Sequence, residues 1–215
     1  MKLVLHNYWR SSASHRVRIG LGLKGLAYEY VPVDILHRDQ DAEAYRAQNP
    51  LAQVPALEIT EDSGERRTIA QSLSILEYLE DRWPEPPILP RDPYLRARTR
   101  MLAEIVNSGI QPLQNTSTVS RVKAIGGDTT EWLSHYISAG LAALARAAAE
   151  TAGTFCVGDS PTIADCCLVP QLASARRFGV DTAQLGPLIE IEARCLALPA
   201  FANAAPDLQP DAVRS

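Results

Sequence analysis

Several functional classes are unsupported because the features that mark them are missing from this chain. No apolar run approaches the roughly 18 to 20 residues needed to cross a bilayer. The richest stretches, CCLVPQLA and LAALARAAA, are short and interrupted, so no membrane role is expected. Excess positive charge is also missing: 21 basic side chains stand against 25 acidic ones, a net charge of −4, which argues against a nucleic-acid partner. Cysteine is scarce. Cys156, Cys166, Cys167 and Cys195 show neither CxxC spacing nor an accompanying HxxxH, so no metal site and no dithiol centre is expected. They read as free thiols, small buried hydrophobes in a reducing compartment. At the N-terminus the apolar triplet Leu3, Val4 and Leu5 is too short for the core of a secretion signal, so the expected compartment is the cytoplasm. Internal repeats and low-complexity blocks are missing too, apart from the helix-forming ALARAAAE.

What remains is an ordinary folded globule of 215 residues, 46% hydrophobic and 21% charged. LVLHNY reads as a strand, and the stretch from Ser12 to Lys24 as a helix that ends at Lys24-Gly25. YEYVPVDIL reads as a second strand, and DQDAEAYRAQN as a short helix closed by Pro50. VPALEITED and RRTIA flank Ser63-Gly64 as a hairpin, and SLSILEYLEDRW is an amphipathic helix that stops before Pro84. The order βαβαββα predicts an α/β domain over residues 1–82. Prolines 84, 86, 87, 90 and 93 make residues 83–93 a linker. Beyond it strand signals vanish, and residues 94–215 read as an all-α domain. Its helical segments are LRARTRMLAEIVNSGIQ, TTEWLSHYISAGLAALARAAAETAG, TIADCCLVPQLASARRF and PLIEIEARCLALPAF.

Three short motifs carry chemical information. Ser11, Ser12 and Ser14 stand where the first strand hands over to the first helix, where a hydroxyl caps orphan N–H groups and the helix dipole favours an anion. Val54-Pro55 precedes the third strand; it is either a simple strand-start proline or a cis bond that presents the Val54 backbone to a peptide-like ligand. Gln71-Ser72 opens the closing helix, where Ser72 can cap and bare N–H groups can take a carboxylate. A fourth motif, Thr162 with Asp165, reads as a structural capping box.

In order along nearly the whole chain, WRSSASHRVRI, QVPAL, AQSLSILEYLE, GIQPLQN and VGDSPTIADCCLVPQ followed by ARRFGVD resemble the zeta class of glutathione transferases. The resemblance implies a thioredoxin-like N-terminal domain, an all-α C-terminal domain, glutathione as cofactor, and a homodimer. The implied reaction is cis–trans isomerisation of a maleyl diketo dicarboxylate within aromatic amino-acid catabolism, with maleylacetoacetate favoured. The alternatives are maleylpyruvate as substrate, general glutathione conjugation, or a non-catalytic regulator with this fold.

The resemblance also implies roles. Ser11 would donate a hydrogen bond to the glutathione sulfur, and Ser12 with the helix N-terminus would add to the field there. Val54 beside Pro55 would pair with the cysteinyl part, Gln71 and Ser72 would hold the γ-glutamyl end, and Gln111 with Asn115 would contact glutathione from the helical domain. Arg10 and Arg177 would hold substrate carboxylates. Two departures stand out: Ala13 and His15 occupy positions where the class usually has Cys and Trp, and Thr116 and Ser117 replace the paired arginines of its maleylpyruvate-isomerising members. Histidine 15 reads as a helix-surface residue in preference to a proton shuttle.

Overall fold

Alternating side chains along β1 (Lys2–Asn7) establish the first layer of structure. Leu3 and Leu5 point to one face, and their antiparallel partners Ile59 and Leu57 on β3 (Ala56–Thr60) point the same way. Beneath them lie Val17 and Leu21 of α1 (Ser12–Leu23) with Ile75 and Leu79 of α3 (Ser72–Arg82), closing one hydrophobic cluster. The opposite face is covered through α2 (Glu43–Gln48), whose Tyr45 packs with Val33 and Ala56 and meets the His6 ring edge-on. β2 (Glu29–Pro32) runs parallel to β1, and β4 (Arg66–Ala70) antiparallel to β3, giving the order β2-β1-β3-β4. The parallel pair requires a crossover, which α1 supplies. The order βαβαββα, with a mixed four-stranded sheet, is thus formed as the pattern of periods predicts.

The computed structural model describes residues 1–213 and divides into two units. One comprises Met1–Pro87 together with the segment from Leu198 onward; the other is Ile88–Ala197.

Basic residues of α1 and its C-cap do not face water. Arg16 is 0% exposed, Arg18 2% and Lys24 7%, because the helix is buried around nearly its whole circumference. The Lys24 ammonium donates to Glu80 Oε2 at 2.6 Å, to the Trp83 carbonyl at 2.7 Å and to the Pro86 carbonyl at 2.6 Å. Three donors meet three acceptors, so the charge is fully satisfied, and the ends of α1 and α3 are tied to the start of the proline-rich stretch. Removing one partner from a buried pair of this kind costs about 3–5 kcal/mol, because the other charge is left unpaired.

In the second unit, α4 (Pro93–Asn107) packs against α7 (Thr129–Ala148) and α8 (Ile163–Arg177), and α8 packs against α9 (Gly186–Leu196). Pro93, expected to end the linker, is the first residue of α4, where its missing N–H is harmless and Asp92 caps the helix through the Leu95 N–H at 2.9 Å. The capping box at the start of α8 is present: the Thr162 hydroxyl accepts from the Ala164 N–H, and Asp165 accepts from the Thr162 N–H at 2.8 Å.

Two helices had no sequence signal, α5 (Gln111–Gln114) and α6 (Thr116–Ala124). α5 is a single turn, and TSTVSRVKA has too few apolar residues to show a helical period. The last helical stretch also differs from its reading. α9 stops at Leu196, since Leu198 precedes a proline and is extended, and α10 (Pro199–Ala202) packs on α1 of the first unit. Gly22 permits that approach, because a Cβ there would sit 3.1 Å from the Ala200 Cα. Among the described residues no helix is long and apolar enough to cross a membrane.

Candidate functional site

The turn from β1 to α1 is built by hydrogen bonds among its own residues. The Ser11 N–H donates to the Tyr8 carbonyl at 3.0 Å, and the His15 N–H to the Ser11 carbonyl at 2.9 Å. Ser11 is the N-cap: its hydroxyl oxygen accepts from the Ser14 N–H at 3.2 Å. Capping and ligand binding are therefore compatible here. A hydroxyl that accepts a cap bond still has its proton to donate, and Ser11 is only half-buried. Ser12 and Ala13 follow in the first turn, where no preceding helical carbonyl receives their N–H groups, and Ser12 is buried. An anion at this point would meet the positive end of the α1 dipole. The Arg10 guanidinium is exposed and lies 5.5 Å from the centre of the Trp9 ring.

A second helix start carries the remaining first-unit candidates. Gln71, at φ 71°, ψ 118°, is the N-cap of α3 and makes no capping bond with its side chain. A non-glycine residue held there stores of order 1–3 kcal/mol of strain, a cost that clusters at ligand sites. Ser72 does not cap, contrary to the expectation from sequence. It is the first helical residue, 2% exposed, and its hydroxyl oxygen accepts from Arg16 Nη1 at 3.2 Å. Arg16 thereby couples the first turns of α1 and α3. The Val54–Pro55 bond is cis, and the pair directly precedes β3, with Val54 half-buried and Pro55 buried.

Sequence reasoning missed Arg16. No local signal marked it, because its partner Ser72 lies on another helix, 56 residues away.

The helical unit holds the other candidates. Gln111 donates from Nε2 to Asn115 Oδ1 at 3.0 Å and accepts from Gln114 Nε2 at 3.3 Å. Gln114 in turn exchanges two amide hydrogen bonds with Gln171 of α8, at 3.2 and 3.0 Å, in a buried setting. Gln114 and Gln171 were also missed, and they fix how Gln111 and Asn115 are presented. Of the adjacent arginines at the end of α8, Arg176 forms a two-pronged pair with Glu192, whereas Arg177 is exposed and stacks on the Phe178 ring at 4.8 Å. The two are thus not interchangeable.

One reading is corrected. His15 is not a surface residue; it is 4% exposed, and its Nε2 has no hydrogen-bond partner. Burial first, and the Arg18 charge second, depress its pKa to about 3. An imidazole kept neutral down to that pH cannot shuttle protons at pH 7. The four cysteines are buried and free, and burial pushes the Cys156 and Cys166 thiols well above their ordinary value. None is a competent nucleophile. A sulfur nucleophile at this site must come with a ligand.

Residues 10–82 match the family model "Glutathione S-transferase, N-terminal domain". The maleylacetoacetate isomerase of Mus musculus is 44% identical over 213 residues, covering 98% of this chain and 95% of that protein. Among solved structures, maleylacetoacetate isomerase from Anaeromyxobacter dehalogenans 2CP-1 with glutathione bound in its active site superposes with a TM-score of 0.91 at 51% identity, covering 99% of this chain and 98% of that one. A bacterial zeta-class maleylpyruvate isomerase, in its holo form, gives 0.90 at 41% identity, covering 98% and 100%.

The buried histidine makes the protein acid-sensitive in a definite window. With about 3 in the folded chain against 6.5 when unfolded, the unfolded state binds more protons between those values. His15 therefore favours folding fully above pH 6.5, and that contribution is lost as pH falls towards 3. Urea midpoints measured at pH 7 and pH 5 should drop more for the natural chain than for His15→Phe; equal drops would mean the imidazole is not buried neutral.

Proposed function

The chain belongs to the zeta class of glutathione transferases, and on that premise we propose that Ser11 activates the thiol of bound glutathione for cis–trans isomerisation of a maleyl diketo acid. It is a glutathione-dependent enzyme, and its main reading is maleylacetoacetate isomerase. The observation that carries the role of Ser11 is its hydroxyl at the N-cap of α1, with the acceptor side engaged by the Ser14 N–H and the proton left to donate.

The donor set fits a thiolate tripeptide. Ser11 offers a hydrogen bond to an anion at a helix N-terminus, and Ser72, whose oxygen is already engaged by Arg16, offers its proton to a carboxylate. Val54 lies at the entry to β3, in reach of a ligand that pairs with backbone, with Pro55 beside it. Gln71 opens α3 with Ser72, and both serve the γ-glutamyl end. Gln111 and Asn115, linked to each other, are the helical unit's contribution to glutathione binding.

Glutathione, when bound, supplies a thiolate whose reversible addition to the substrate double bond allows rotation about it. Ser11 keeps the sulfur anionic near neutral pH. Ser12 and the first-turn N–H groups of α1 stabilise negative charge that develops on the substrate during the reaction. Arg10 and Arg177 hold its carboxylates, each exposed and each resting on an aromatic ring. We place the enzyme in the cytoplasm, in aromatic amino-acid catabolism, acting as a homodimer.

Side-by-side assays of maleylacetoacetate and maleylpyruvate, with and without glutathione, test the reading. Turnover should require glutathione, and Ser11→Ala should lower it about 10- to 150-fold, the loss of one charge-assisted hydrogen bond of about 1.5–3 kcal/mol. Turnover that is unchanged by omitting glutathione would end the proposal. Faster turnover of maleylpyruvate would reverse the substrate preference, which rests on hydroxyls at Thr116 and Ser117 where a second pair of cations would otherwise stand.

Arg177→Ala should raise KM for dicarboxylates by one to two orders of magnitude, about 1.4–2.8 kcal/mol, and leave conjugation of an uncharged electrophile nearly unchanged. Equal losses on both would assign Arg177 to the fold. Light scattering at micromolar protein should return twice the 23.5 kDa chain mass, as class membership and the prevalence of two-fold dimers support. A mass of one chain would overturn the dimer.

A further inference from the structure

The turn that presents Ser11 is gripped from outside by the C-terminal segment. Its peptide handles are those of Trp9, two residues before Ser11. The Trp9 N–H donates to Asp211 Oδ2 at 3.0 Å, and the Trp9 carbonyl accepts from Arg18 Nη2 at 2.9 Å. The other Asp211 oxygen accepts from the Tyr30 hydroxyl, which anchors the carboxylate to β2. Arg18 reaches back to the same segment, donating from Nε to the Ala204 carbonyl at 3.1 Å. Chain positions about 200 residues apart in sequence therefore hold opposite ends of one residue in the turn.

We propose that Asp211 is a positioning residue for the reaction: by fixing the Trp9 amide against Arg18 it sets where the Ser11 hydroxyl stands relative to the glutathione sulfur. The inference rests on the role given to Ser11 above. The turn is short, and Ser11 is tied to it through the bond from its own N–H to the Tyr8 carbonyl. With Asp211 removed, the Trp9 N–H loses its acceptor and the turn its outer restraint, while Arg18 still holds the carbonyl side. Misplacement of a catalytic group by about 1 Å is enough to cost on the order of 100-fold in rate. Release of one of several restraints on the turn should give a smaller effect, about tenfold.

Asparagine at 211 separates geometry from charge. Its amide oxygen can still accept from Trp9, and its NH2 can face the Tyr30 oxygen, so the restraint survives without the negative charge. If Asp211 acted as a nearby charge alone, removing it by either substitution would favour thiolate and lower the thiol pKa. If it acts by position, alanine raises that pKa and asparagine restores it.

The experiment is an ultraviolet titration of the thiolate of glutathione bound to the full chain, together with kcat and KM for maleylacetoacetate. Asp211→Ala should raise the thiol pKa by about 1, a tenfold loss of thiolate at a pH below it, and lower kcat about tenfold with a smaller change in KM. Asp211→Asn should stay within about threefold of the natural chain, and Tyr30→Phe, which keeps the Trp9 bond but frees the carboxylate, should fall between the two. A thiol pKa in Asp211→Ala that is unchanged or lowered, or an asparagine variant as impaired as the alanine one, overturns the inference. Should Asp211→Ala not fold, Tyr30→Phe decides: no shift in its thiol pKa overturns the inference. A natural chain that binds no glutathione as thiolate removes the role of Ser11 itself, an outcome distinct from normal activation that ignores position 211.

Discussion

A guanidinium shut away from water governs much of the first unit. Arg18 is 2% exposed, and burial lowers its pKa without making deprotonation accessible. Such a charge costs several kcal/mol unless its donors are met by acceptors. Asn7 Oδ1 takes Nη1 at 3.0 Å, the Trp9 carbonyl takes Nη2 and the Ala204 carbonyl takes Nε. These acceptors come from the end of β1, the turn after it and the C-terminal segment. Satisfying one cation therefore fixes the path of the chain on either side of the turn that carries Ser11, and it brings α10 so close to α1 that Gly22 leaves no room for a side chain.

The same economy of groups appears at the start of α1 and α3. Ser11 and Ser72 each use a lone pair on a structural donor and keep a proton, which we propose is donated to glutathione. A hydroxyl can do both because it is donor and acceptor at once, which a carboxylate or an ammonium cannot. Arg16 joins the two starts, so the places we propose for the thiolate end and the γ-glutamyl end of glutathione share one buried link. The four cysteines are buried, with the Cys156, Cys166 and Cys195 thiols raised by that burial, and His15 is held neutral. In the mechanism we propose, the protein contributes direction and field, and glutathione contributes the nucleophile.

The substrate contacts proposed for the two arginines rest on different physics. Arg10 and Arg177 are exposed and lie against aromatic rings, and a planar guanidinium fork suits the carboxylates we propose they hold. Arg176, one residue away, has the same side chain but is committed to Glu192.

Periodicity alone was enough for the βαβαββα unit, because Leu3, Leu5, Leu57 and Ile59 alternate at period two and Ile75, Leu76 and Leu79 repeat at helical spacing. Capping chemistry likewise marked Ser11 and the Thr162 box from local sequence, since a cap needs no distant partner. It misassigned Ser72, whose oxygen is taken by Arg16 from another helix. The burial of Arg16, Arg18, Lys24 and His15 was illegible for the same reason: each is polar, each lies in α1 or at its C-cap, and whether it meets water or a partner is decided by elements as much as 186 residues away. The sequence by itself determined which segments are strands and helices and which hydroxyls begin them. Tertiary structure decided which charges are buried, because a charge can leave water only where the folded chain brings enough acceptors together, and no local pattern of residues encodes that convergence.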